Sequence, residues 1–387
     1  MSRLPIALAL SFSMIGCVSI TALEPPQVSS AGKDARNDAT TYEELGLEVH
    51  DLASDLDTPW SLVMAPDGWI WFTERPGRVS RVNPESGAFE RIARVPSLER
   101  GESGLMGLEL HPDFPATPYV YLMQSYEGGS GIANRLVRYT YRDGSLSNEE
   151  VLLDSILGNT FHDGARLAAG PDGYLYVTTG DAGRESLSQD PDSLNGKTLR
   201  LTWDGEPAPD NPFGNEVYSY GHRNAQGLTF HPRTGALFIT EHGPDDNDEV
   251  AIVAAGENHG WPRVHGFCDG DVRGEEEFCG DHEIAEPLAA WTPTIAPAGA
   301  DFYEGRAIPD WQGDFLFVTL KGSSLIRLEL GPDARSVVAQ QVISQGAFGR
   351  LRDVLVDEEG IVYIATSNRD GRGVPAADDD RILMVRP

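Results

Sequence analysis

A histidine stands at position 162 in the stretch Phe161–Gly183, which reads FHDGARLAAGPDGYLYVTTGDAG. Imidazole is the side chain most often used to take or give a proton under ordinary conditions, so a histidine here is a candidate general base. The small neighbours Gly164 and Ala165 let a ligand approach the backbone closely. His162 lies just ahead of a strand read over Arg166–Ala169. A second strand, Tyr174–Thr179, ends at the polar pair Gly180-Asp181. Two strand ends therefore each carry a titratable group, which suits a site on one face of a sheet and equally a structural histidine. Cations supply further candidates. In Arg350-Leu351-Arg352 the alternation of a strand points both guanidinium groups to one side. By themselves these two arginines read as surface charges.

The background makes cations conspicuous. Sixty acidic against thirty basic residues give a formal net charge of -30, and only three of the basic residues are lysines: Lys33, Lys197 and Lys321. Such a balance repels nucleic acid and anionic membrane surfaces, and it fits a secreted, highly soluble protein. The N-terminus supports export. Arg3 flanks the apolar stretch Leu4–Ile15, too short for a stable bilayer anchor, and Met14-Ile15-Gly16-Cys17 resembles a bacterial lipobox. Residues 1–17 are read as a lipoprotein-type signal peptide with Cys17 as the lipidated N-terminus; simple cleavage near Ala22 is the alternative. The expected location is periplasmic or outer-envelope, with Cys17 the sole link to a membrane. Cys268 and Cys279 then remain as an even pair in an oxidising compartment, where a disulfide is a reasonable staple and zinc is disfavoured.

What must position the candidate residues is a repeated unit. Residues 18–42 lack a hydrophobic period and read as a tether. From there a turn with Pro, Asp or Gly, followed by a short strand, recurs six times. The strands are Trp69–Thr73, Tyr119–Met123, Tyr174–Thr179, Ala236–Thr240, Asp314–Thr319 and Ile361–Thr366. Further strand-like runs lie between them, and no long helical period occurs. The expectation is an all-β, six-bladed β-propeller over residues 43–387, a single domain with an insertion that carries Cys268 and Cys279. Loops on one face of a propeller converge on its channel. Five strongly polar segments are placed to do so: Gly101–Gly104, Gly180–Arg184, Tyr220–Gly227, Glu241–Asp248 and Gly349–Asp353.

Several stretches, in order along the chain, carry a resemblance. They include Gly104-Leu105-Met106-Gly107-Leu108, the segment His162 to Asp172, and Asn195-Gly196-Lys197. Gly221-His222-Arg223-Asn224-Ala225-Gln226-Gly227-Leu228 follows, then Gly243-Pro244, Asn258-His259-Gly260-Trp261-Pro262, Lys321 and Arg350-Leu351-Arg352-Asp353. Together they resemble the soluble aldose dehydrogenases that use pyrroloquinoline quinone (PQQ), the glucose/sorbosone dehydrogenase family. The resemblance implies oxidation of an aldose sugar at its anomeric carbon to a lactone, with His162 as general base. It implies that Arg223, Lys321, Arg350 and Arg352 ring the tricarboxylate cofactor, a task to which guanidinium forks are suited, and that Asn224 also contacts it. It also implies Ca²⁺ held in part by backbone carbonyls of Gly243 and Pro244, and an electron acceptor that it does not name.

The match is not complete at the sugar. Glu102 stands where the best-known glucose enzymes have glutamine, Phe161 where they have aspartate, Glu185-Ser186 where they have glutamine, and His242 replaces another glutamine. These departures put glucose in question as the preferred sugar. Two other functions fit a propeller of this kind: a calcium-dependent lactonase and a non-catalytic sugar-binding module.

Overall fold

The structure is a computed structural model that describes residues 39–129 and 131–387. The predicted signal segment, Cys17 and nearly all of the tether lie outside the described residues. Each of the six predicted turn-and-strand units supplies the second strand of a four-stranded antiparallel sheet. These second strands are Ile70–Glu74, Tyr119–Gly128, Leu175–Thr179, Leu237–Glu241, Phe315–Thr319 and Val362–Thr366. Each pairs with an inner strand before it: Pro59–Met64, Leu105–Leu110, Gly164–Ala169, Ala225–Phe230, Pro297–Phe302 and Leu351–Val356. The inner strands pack side by side around a channel, so the molecule is a six-bladed β-propeller, its blades numbered 1 to 6 in that order. Blade 6 is completed from the other end of the chain, where Glu48–Ala53 pairs with the last strand, Ile382–Arg386.

Second strands are buried on both faces and therefore read as continuous apolar runs rather than as alternation. Ile70, Trp71 and Phe72 in blade 1 and Phe315, Leu316 and Phe317 in blade 5 are all inaccessible to solvent. Their side chains pack between blades: Trp71 meets Leu108 and Val120 of blade 2, and Leu316 and Val318 join Val354 and Ile364 of blade 6. At roughly 1.5–3 kcal/mol for each large apolar side chain, these inter-blade layers hold the ring together. Thr40 pairs with Ile343 and Tyr42 is buried in the same layer, so the fold reaches back into the last residues of the predicted tether.

All six inner strands show a register shift near their start. Such bulges re-aim side chains, and here they turn Trp60, Arg166, Gln226, Arg352 and Asp353 toward one another across the channel. The Arg166–Asp353 ion pair, at 2.8 Å, joins blades 3 and 6, which stand opposite in a ring of six. The Arg166 guanidinium lies 4.3 Å from the Trp60 ring. Gly299 makes room for this layer, because a Cβ there would stand 1.7 Å from Asp353 Oδ1.

The two ends of the channel differ. The short Pro/Asp/Gly turns join inner to second strands at one end. At the other end, where inner strands begin and second strands finish, all five polar segments meet. The insertion in blade 4 spans residues 254–288, between the strands Asp248–Val253 and Ala289–Trp291. It holds the short helix Glu275–Asp281 and the Cys268–Cys279 disulfide expected from the cysteine count.

Candidate active site

His162 and Asp181 belong to one hairpin, His162 ahead of the inner strand of blade 3 and Asp181 just past its second strand. Antiparallel pairing brings them together, with His162 Nδ1 2.8 Å from Asp181 Oδ1. Asp181 is fully buried, and its other oxygen accepts a bond from Trp261 Nε1 at 2.9 Å. A carboxylate accepting at Nδ1 sets that nitrogen as the N–H and leaves Nε2 as the free lone pair. The dyad is therefore built to accept a proton at Nε2.

The backbone at His162 is unusual, with φ at 61° in the left-handed region. For a non-glycine residue this costs about 1–3 kcal/mol and persists only where its surroundings enforce it. Here they do. The His162 N–H donates to Glu102 Oε2 at 3.0 Å, and its carbonyl accepts from Ala182 N at 3.1 Å. Gly180 allows that close approach, since a Cβ at this position would meet the His162 oxygen at 1.9 Å. Phe161 sets its ring edge-on to the imidazole, 4.7 Å between centroids, at the rim of the site.

The predicted cofactor residues gather at the same end but are not equivalent. Arg352 is buried, donates from Nη1 to Gln226 Oε1, and its Nε has no partner. Burial pushes its guanidinium down to about 9, with Arg350 and Arg75 adding to the effect. Arg350 donates from Nε to Asp370 Oδ2 at 2.7 Å, and Arg352 Nη2 lies 4.0 Å from the same oxygen, so both arginines do face one side. Arg223 donates to the His242 carbonyl at 3.2 Å, lies 5.2 Å from the Trp261 ring, and its Nε is also buried without a partner. Asn224 accepts from Gly164 N at 3.1 Å, tying the loop of blade 4 to the base's strand. Lys321 stands at the same end of blade 5 but is exposed, its ammonium donating to Thr294 Oγ1.

His242, whose role the sequence left open, sits at the centre of these groups. Its Nε2 is 2.9 Å from the Pro297 carbonyl. Burial, reinforced by Arg352, Arg223 and His162 against the opposing charge of Glu102, pushes its imidazole down to about 3. A neutral ring therefore faces the arginines. Beyond it, Gly243 and Pro244 border a small cavity shared with Glu241, Glu249, His259 and Trp261. Asp248 caps the turn by accepting from Gly243 N at 2.8 Å and also takes Ile295 N and Ala296 N. Among the described residues no three His, Cys, Asp or Glu side chains converge as a metal cluster.

Several contributors escaped the sequence reading. Asp181 was visible as a polar strand end, and the hairpin could have revealed its partner. Trp261 reaches it from a segment eighty positions away, a contact with no local signal. Lys197 is fully buried, its ammonium donating to the carbonyls of Leu187, Ser188 and Asn195 at 2.7, 3.0 and 2.6 Å. It braces the loop that follows Asp181.

Known proteins match this chain over most of its length. The family described as Glucose / Sorbosone dehydrogenase matches residues 56–377. Quinoprotein glucose dehydrogenase B of Acinetobacter calcoaceticus is 29% identical over 419 residues, covering 86% of this chain and 87% of its own. The aldose sugar dehydrogenase YliI of Escherichia coli is 30% identical over 344 residues, 84% of this chain and 91% of its own. The PQQ-bound aldose sugar dehydrogenase of Streptomyces coelicolor superposes with a TM-score of 0.77 at 35% identity, over 88% of this chain and 98% of its own. With a propeller of six blades and a match over most of its length, the chain belongs to the glucose/sorbosone dehydrogenase family.

Proposed function

We propose that this protein oxidises an aldose at the anomeric carbon to the lactone, with PQQ and Ca²⁺ as cofactors and His162 as general base. At the coarser level of the family it is a PQQ-dependent sugar dehydrogenase. The observation that carries the finer reading is the pair of buried, incompletely partnered guanidinium groups, Arg223 and Arg352, at the same channel end as an imidazole oriented by a buried carboxylate. Cations short of acceptors fit an anionic ligand, and Arg350 and Asn224 stand beside them. Lys321 would contribute from the rim.

When bound, the quinone supplies the two-electron acceptor that oxidation of the anomeric carbon requires, and Ca²⁺ the Lewis acid. The carbonyls of Gly243 and Pro244 are hard oxygen donors suited to that cation. His162 Nε2 takes the proton of the anomeric hydroxyl, and Asp181 stabilises the imidazolium that forms. Phe161 and Glu102 border the space where the sugar must stand, so they differ from the best-known glucose enzymes at the point of substrate choice.

The test is reconstitution. Apo-protein given PQQ and Ca²⁺ should reduce an artificial dye with at least one aldose, lose that activity on chelation, and regain it when Ca²⁺ and quinone return. Bound quinone without dye reduction for any sugar would favour a sugar-binding module. Full activity after verified metal depletion would remove Ca²⁺. Export with a lipid on Cys17 belongs to the same proposal, supported by the targeting segment and the disulfide. Incorporation of labelled fatty acid should vanish in Cys17→Ser.

A further inference from the structure

We infer that Arg372 and Glu102 form a bridge across the mouth of the site that positions His162, an inference resting on the reading of His162 as the base. Arg372 lies on the loop of blade 6 that follows Val362–Thr366, and Glu102 lies on the loop ahead of blade 2. Arg372 Nη1 donates to Glu102 Oε1 at 2.8 Å, although the two are 270 positions apart. The other oxygen, Glu102 Oε2, accepts the backbone N–H of His162. One carboxylate thus divides its two oxygens between a distant guanidinium and the main chain of the base. Because a carboxylate is planar and rigid, fixing one oxygen fixes the direction of the other.

An exposed Arg–Glu pair ordinarily contributes little. This one differs in what it holds. The Arg372 side chain is 58% exposed but that of Glu102 only 13%. Burial pushes Glu102 up, yet the charges of Arg372 and Arg352 and the His162 N–H oppose burial, and Glu102 is held below the usual range and stays an acceptor. The backbone that it restrains is the left-handed one at His162, which has few conformations to fall back on. The loop that carries Arg372 is itself anchored: Arg372 N donates to Asp370 Oδ1 at 2.9 Å, and Asp370 Oδ2 accepts from Arg350. Asp370 and Arg372 therefore connect the arginines at one side of the site to the base at the other. Both act through other residues and are positioning residues.

The experiment compares Arg372→Met, Arg372→Lys, Glu102→Gln and the Arg372→Met/Glu102→Gln double variant. Arg372→Met should lower kcat about 3–10-fold while KM for the sugar and quinone affinity by absorbance titration stay near wild type, the signature of a misplaced base. Arg372→Lys should restore most of the loss. Glu102→Gln keeps an acceptor for His162 but loses the pair, and adding Arg372→Met to it should cost nothing further. In apo-protein, amide hydrogen exchange across residues 159–163 should quicken in Arg372→Met. Unchanged kcat and exchange in Arg372→Met, or losses that simply add, would overturn the bridge. A wild type inactive on every sugar, combined with the expected change in exchange, would support the bridge and overturn the dehydrogenase reading instead.

Discussion

The two ends of the channel bury charged groups in opposite ways. At the turn end, Glu109 of blade 2 accepts from Leu110 N and from Ala169 N of blade 3. Asp301 of blade 5 repeats the arrangement with Phe302 N and Val356 N of blade 6. In the layer between the ends, Asp353 of blade 6 accepts from Leu62 N of blade 1 and from Arg166. Each of these three carboxylates closes a gap between blades and accepts two hydrogen bonds in doing so, although Arg166 Nη2 keeps no partner. At the loop end, Arg223 and Arg352 keep buried Nε donors without partners, and a histidine is held in a strained backbone. A buried charge by itself thus says little about function. Two incompletely partnered guanidinium groups at one channel end, beside an oriented base, say that something else is meant to complete them.

The contrast can be broken by substitutions that affect one end only. The largest effect belongs to the base: His162→Gln should lower kcat by roughly 10²–10⁴-fold and leave quinone affinity intact. Turnover near wild type would return His162 to a structural role. Next comes the cage, where the structure predicts inequality. Arg352→Ala should weaken quinone binding by about 1.5–3 kcal/mol. Lys321→Ala, at an exposed position, should cost no more than about 1 kcal/mol and lose even that at high salt. Unchanged affinity in both variants would mean that this end does not hold the cofactor.

At the turn end the readout should be stability alone. Asp301→Ala leaves Phe302 N and Val356 N without their acceptor and should cost about 1–3 kcal/mol in chemical denaturation. The kcat of whatever protein remains folded should not move; a matching loss of turnover would erase the distinction between the ends. A further measurement sharpens the comparison through pH. Burial pushes both Glu109 and Asp301 up to about 7, against values near 4 in an unfolded chain. Between those values the folded state binds protons that the unfolded state does not. Their contribution is therefore greatest below pH 4 and falls as pH rises to 7. Glu109→Gln and Asp301→Asn, which cannot ionise, should gain on the wild type by roughly 1–3 kcal/mol each between pH 5 and 8. A constant difference across that range would show that these carboxyls are already charged when folded.

The scaffold was legible because it repeats. Turn signals of the kind seen at Gly170-Pro171-Asp172-Gly173 mark the turn end, and the apolar runs after them mark the second strands, since both follow from local conformational preference. Inner strands were harder to see. Their bulges and small or charged residues, as in Gly164–Ala169, break the pattern that identifies a strand. His162, Arg350 and Arg352 stand out locally by strand position and alternation, but their proposed roles, and that of the Gly243-Pro244 turn, come from motif order. Nothing local could have paired Arg372 with Glu102, joined Trp261 to Asp181, or shown that Lys321 stands exposed while Arg352 is buried. Those facts depend on how distant loops are brought together, and ring closure decides that.

Closure also has a consequence for how the protein is made. Among the described strands, Glu48–Ala53 pairs only with Ile382–Arg386, which is synthesised long after it. Until that strand is made, blade 6 has an open edge and nothing latches the ring. The slow non-local pairing that completes the fold must therefore await Ile382–Arg386, and losing only that strand should leave a protein with most of its sheets and no working site.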